Sequence, residues 1–107
     1  MKHSKLFIFA IMTTLAVSGC KHQAATYPTD TLTTKNGSQL TITFFKHASL
    51  AIETEGRHIY IDPISQYADY ASLPKADLIL ITHSHYDHLD SAAVAALSTA
   101  ATAVECG

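Results

Sequence analysis

The sequence predicts an α/β (α+β) domain, in which an antiparallel-rich sheet carries at least one packed helix. Three observations predict it. Two stretches, residues 31–45 and 50–61, place β-favouring runs on either side of a glycine turn. The apolar run Leu78-Ile79-Leu80-Ile81 reads as a short strand buried on both faces. An alanine-rich segment, 92–97, follows Asp90-Ser91 and reads as a helix with its N-cap.

The first twenty residues stand apart from that domain. Lys2, His3 and Lys5 precede an apolar stretch, 6–17, interrupted by Thr13 and Thr14. It falls short of the roughly 20 apolar residues that a membrane span requires and reads as a targeting segment. It ends in Val17-Ser18-Gly19-Cys20. Small residues directly before a cysteine resemble a bacterial lipobox, which implies a signal peptide over 1–19 and a lipidated Cys20. An ordinary secretory signal and a short anchor are the competing readings. The lipobox implies a bacterial cell-envelope protein that meets the membrane through Cys20. Lys21, where an aspartate would retain such a protein at the inner membrane, favours the outer membrane of a Gram-negative source. Residues 20–30 are polar, with Ala24, Ala25 and Pro28, and read as a tether; the domain then occupies 31–107.

Size and charge narrow the class. The chain has 107 residues, 48% hydrophobic and 15% charged, which suits one small globular domain and argues against disorder. A formal net charge of −2 supplies no basic footprint, so no nucleic-acid partner is expected.

Within the domain, residues 31–34 and 38–45 flank Lys35-Asn36-Gly37, a hairpin signal because Asn and Gly tolerate positive φ. Leu40, Ile42 and Phe44 alternate with Thr41 and Thr43, so that strand turns one face to the core. Residues 50–54 and 57–61 flank Glu55-Gly56, a second hairpin. His58 reads as a strand-surface residue. By spacing alone His47 is a surface-loop histidine, and Asp62, before Pro63, caps a turn where proline stops the ladder. Residues 64–75 show no clean period and read as a loop with one helical turn at most, which can rim a cleft. The helix over 92–97 packs Val94 and Leu97 on the sheet, and 101–104 begins another strand.

The chemistry concentrates directly after the apolar strand. His83, His85, Asp87 and His88 put three histidines and an aspartate within six consecutive residues. His83 and His85 are two apart and share a side in extended backbone, so they can converge on one ion; a solvated His-rich surface loop is the competing reading. Asp87 and His88 are adjacent and meet a neighbouring ion only if the chain turns there. Imidazole nitrogen and carboxylate oxygen suit zinc, and also manganese or iron.

His83-x-His85-x-Asp87-His88 after an apolar strand resembles the HxHxDH signature of the metallo-β-lactamase-fold hydrolases. Lys46-His47-Ala48-Ser49, Tyr60-Ile61-Asp62-Pro63 and Thr82 to Asp90 resemble the branch with the ascorbate-phosphate lactonase-like proteins. The likeness runs from about Leu40 to the end of the chain. It implies the N-terminal half of an αββα sandwich, with His83, His85, Asp87 and His88 as ligands to two zinc ions. It implies that Asp87 belongs to the catalytic centre. It sets His47 towards the cleft and Asp62 beneath the metal loop, holding a histidine ligand. In the complete enzyme a metal-activated water would attack a lactone, ester, amide or phosphoester, the branch favouring a lactone or phosphorylated small molecule.

The family's remaining ligands have no match in this chain, so the resemblance implies a partial domain, a truncated product, or one completed by a second half. The rival reading is a lipid-anchored module without catalysis that retains the motif. Cys106 is a lone thiol if Cys20 is lipidated; a Cys20–Cys106 disulfide is the alternative.

Overall fold

The computed structural model describes residues 25–107. The expected signal peptide and lipidated Cys20 lie outside the described residues. Six strands form one sheet in sequence order: β1 (Thr29–Thr33), β2 (Gln39–Lys46), β3 (Ser49–Thr54), β4 (Arg57–Ile61), β5 (Leu78–Ile81) and β6 (Ala103–Cys106). The β1–β4 pairs are antiparallel, whereas β4–β5 and β5–β6 are parallel. A 3-10 turn (Tyr70–Ser72) and one helix, α1 (Ser91–Leu97), complete the secondary structure.

Turn chemistry explains the hairpins. Glu55 and Gly56 both take positive φ, 50° and 74°, which matches a two-residue hairpin connection. At the first hairpin only Gly37 is left-handed, with φ 86°, and Asn36 is not. The Gly37 N–H donates to Thr34 O and the Thr34 N–H to Ser38 O, so the connection is longer than an Asn-Gly pair alone would make. β1 begins at Thr29, two residues before the expected start, and Tyr27 packs edge-on against Phe45 at 4.8 Å. The end of the expected tether is therefore drawn into the fold.

Helix α1 is capped as its sequence requires: the Asp90 carboxylate accepts from the N–H groups of Ala92 and Ala93. Its buried positions are Ala93 and Leu97, one turn apart, while the expected Val94 sits on the flank. They join Tyr60, Ala68, Tyr70, Ala76, Ile79 and Ile81 in the core. An edge-to-face ladder, Tyr27–Phe45–Tyr70–Tyr60, extends that core across the sheet.

Strand β5 corrects one expectation. Ile79 and Ile81 are fully buried beneath α1, but Leu78 and Leu80 are only half-buried, so the strand is not covered on both faces. The register puts Leu40, Ile42, Phe44, Leu50, Ile52, Ile59, Ile61, Leu78 and Leu80 on this second face. All of them remain at least partly exposed among the described residues. β6 begins at Ala103 rather than 101, because Thr99 to Thr102 close a turn first.

Candidate metal centre

The topology sends several chain ends to one edge of the sheet. β4 and β5 run parallel, so Asp62 and Thr82, directly after them, emerge side by side. The Asp62 N–H donates to Leu80 O at 3.0 Å. β3 runs opposite to β4, with Leu50 paired to Ile61, so the β2–β3 turn carrying His47 reaches the same edge. An open sheet of this kind places ligands beyond the carboxyl ends of its parallel strands.

Asp62 is the buried anchor of this edge. It is fully inaccessible and left-handed, with φ 44°. Its Oδ1 accepts the Thr82 backbone N–H at 2.7 Å, and its Oδ2 accepts from the Thr82 hydroxyl at 2.7 Å and from His88 Nδ1 at 2.8 Å. The Ser49 hydroxyl holds its backbone carbonyl. Burial alone would raise the Asp62 carboxyl, but the hydrogen bonds from His88 and Thr82 outweigh it and hold the group below the usual carboxylate range.

These bonds fix the proton positions on two histidines. An ionised carboxylate only accepts, so His88 carries its proton on Nδ1 and presents the Nε2 lone pair outward. The single hydroxyl proton of Thr82 is spent on Asp62. The 2.9 Å contact between Thr82 Oγ1 and His83 Nδ1 therefore needs the proton on His83 Nδ1. His83 then also offers Nε2. Sequence reasoning left Thr82 as no more than the boundary of the strand. The available signal was a hydroxyl at the strand end, immediately before the first histidine.

The loop turns where the adjacent Asp87 and His88 require it. The N–H groups of His88 and Leu89 both donate to His85 O at 2.9 Å. The His83 ring lies 3.9 Å from that of His88 and 4.6 Å from that of His85, centroid to centroid. The three motif histidines thus gather on one loop, and Asp87 meets His88. His85 is exposed, whereas His83 and His88 are partly buried, His88 with 14% side-chain exposure.

His47 joins them from the β2–β3 turn. Its φ of 54° is left-handed, and its Nε2 lies 3.3 Å from Asp87 Oδ2. His88 Nε2 lies 3.6 Å from the same oxygen. His58 stays on β4 away from this group, its backbone N–H held by Asp77. Cys106 is an exposed free thiol at the end of β6.

A cleft of about 190 Å³ adjoins Asp87 and is lined by Ile64, Gln66, Tyr67, Tyr86, Asp87 and Asp90. A larger cavity, about 550 Å³, lies between Tyr27, the 65–71 loop and α1, but brings no histidine. The smaller cleft is the one next to chemically competent groups. Nitrogen and oxygen donors, with the histidine protons fixed on the inward-facing Nδ1 atoms, fit a divalent transition metal. No helix among the described residues is long and apolar enough to cross a membrane.

Comparison with known proteins identifies the family. Residues 41–105 match the model of the Beta-lactamase superfamily domain. A metal-dependent hydrolase of Flavobacterium johnsoniae is 51% identical over 53 residues, covering 45% of this chain and 24% of that protein. One from an Exiguobacterium species is 32% identical over 69 residues, covering 61% and 31%. A crystal structure from Parabacteroides distasonis, provisionally named a metal-dependent hydrolase, superposes with a TM-score of 0.73 at 48% identity. It covers 74% of this chain and 36% of that one. The chain spans about a quarter to a third of the curated relatives just described.

Proposed function

The chain belongs to the beta-lactamase superfamily domain family, and from that premise we propose that it forms the metal-holding part of a metal-dependent hydrolase. The observation that carries this reading is the clustering of the His83, His85 and His88 rings on one loop with Asp87 beside His88, and with the protons of His83 and His88 turned towards Thr82 and Asp62.

In this reading His83 and His85 serve one zinc ion, and Asp87 and His88 serve its neighbour; manganese or iron fits the same donors. A bound divalent ion supplies Lewis acidity and lowers the pKa of water at the site. The chain's own residues do the rest. Asp62 accepts from His88 Nδ1, which orients the ring and raises the basicity of Nε2. Thr82 ties His83 to the same carboxylate. Asp87, beside the small cleft, is the carboxylate placed to orient or accept a proton from a bound substrate or water. The proposed substrates are lactones, esters, amides or phosphoesters, with a lactone or phosphorylated small molecule favoured.

Completion by a second half is the proposed partner relationship. The half-covered face of β2–β5, with its row of Leu, Ile and Phe side chains, supports it, since such a surface gains from burial against another layer. Attachment to the bacterial envelope through a lipidated Cys20 is proposed on the lipobox alone. The test is a panel of lactone, phosphodiester and β-lactam substrates with added zinc or manganese. It is run on the chain alone and on the chain supplied with the remaining part of a relative. Turnover should need that remaining part and be lost in His83→Ala, Asp87→Ala and His88→Ala. Failure of the completed protein on every substrate would favour a module that binds metal without catalysis.

A further inference from the structure

The geometry points to His47 as a metal ligand: together with Asp87 and His88 it forms a three-donor site on this part of the fold. This rests on the metal reading above and adds a residue outside the HxHxDH loop. One donor atom from each of His47, Asp87 and His88 lies within 4.8 Å of the others. Their spacing is more informative than their proximity. Two donors each about 2.0–2.1 Å from a tetrahedral zinc ion lie roughly 3.3–3.4 Å apart. His47 Nε2 and Asp87 Oδ2 are 3.3 Å apart, and Asp87 Oδ2 and His88 Nε2 are 3.6 Å apart. Two edges of the coordination polyhedron are already close to their bound lengths.

The backbone gives independent support. β2 and β3 are joined through Lys46 paired with Ser49, which leaves only His47 and Ala48 in the turn. Histidine is tolerated at φ 54° but less favoured there than glycine, so the turn carries a modest backbone cost. The left-handed conformation is what carries the imidazole to Asp87, and to within 5.2 Å of the His88 ring. The three donors also differ in how firmly they are held. Asp62 locks His88, while His47 is about half-exposed and meets only the partly exposed Asp87.

A plain ion pair between His47 and Asp87 would also weaken zinc when removed, so the visible absorption of bound cobalt, which reports the number of donors, separates the two. A spectrum unchanged by loss of the imidazole would overturn the His47 ligand. The experiment uses the full 107-residue chain, with zinc titrated against a chromophoric chelator and cobalt absorption as a report on coordination. His47→Asn keeps a residue tolerant of positive φ while removing the imidazole, and His47→Gly relieves the turn altogether. Both should weaken zinc by at least about tenfold, since even partners of a ligand are worth 10–100-fold. Both should also lower the visible absorption of bound cobalt while leaving the melting temperature at or above that of the parent. Zinc affinity unchanged in both variants, yet lost in His88→Ala, would overturn the His47 proposal and leave the metal reading standing. A folded parent chain that binds no zinc would overturn both.

Discussion

The Asp62 carboxylate lies 2.8 Å from Nδ1 of His88, across 26 positions of sequence. The contact exists because β4 and β5 are parallel neighbours that end at the same edge. It makes the candidate metal loop depend on a residue at the end of another strand.

Asp62→Asn should therefore weaken zinc binding by about 10–100-fold, because the His88 ring loses the acceptor that fixes its tautomer and orientation. Competition against a chelator measures this directly. Affinity equal to that of the parent would mean that His88 orients without Asp62.

Thr82→Val removes the hydroxyl that links Asp62 to His83 while keeping the shape of the side chain. The loss of a hydrogen bond to a charged group should cost about 1.5–3 kcal/mol in urea unfolding. Thr82→Ser should restore most of it. If Thr82→Ser is as unstable as Thr82→Val, the hydroxyl is not what matters.

Acid should loosen the helix end. Burial works against ionisation of Asp90, but the N–H groups of Ser65, Ala92 and Ala93 outweigh it and hold the carboxyl below the usual range. A folded-state pKa below the unfolded value of about 3.9 gives stability that is fully present above that value and lost as pH falls through the folded one. Asp90→Asn should flatten this part of the acid dependence of unfolding, and Asp90→Ala should cost about 1 kcal/mol near neutrality. An acid profile unchanged by Asp90→Asn would remove Asp90 as its source.

At the other extreme, burial, with the nearby Tyr70 and Glu53, pushes the Tyr60 hydroxyl up to about 12. The folded state holds its proton longer than the unfolded chain, whose tyrosines ionise near 10. This contribution to stability is complete below about 10 and disappears as pH rises through about 12. Absorbance at alkaline pH should show Tyr60 ionising together with unfolding, a step missing in Tyr60→Phe. That variant also frees Pro74 O from its 2.7 Å hydrogen bond. A Tyr60 step well before unfolding would contradict the effect of burial.

Cys20→Ala should release the mature protein from the membrane fraction or block its processing. Unchanged membrane retention with normal cleavage would end the lipobox reading.

The sequence by itself determined the local devices. Gly37 and Gly56 mark their turns, Asp90 caps α1, and Leu78–Ile81 leads into a loop with four ligand-type residues. Each depends on short-range sterics, hydrogen bonding or spacing, which a window of ten residues contains. Tertiary structure decided what meets across the sheet. Strand order brings Asp62 beneath His88, the β2–β3 turn swings His47 to Asp87, and packing of α1 covers Ile79 and Ile81 but not Leu78 and Leu80. No local pattern encodes these relations, because they follow from which strands pair, in which direction and register, and from which face the helix covers.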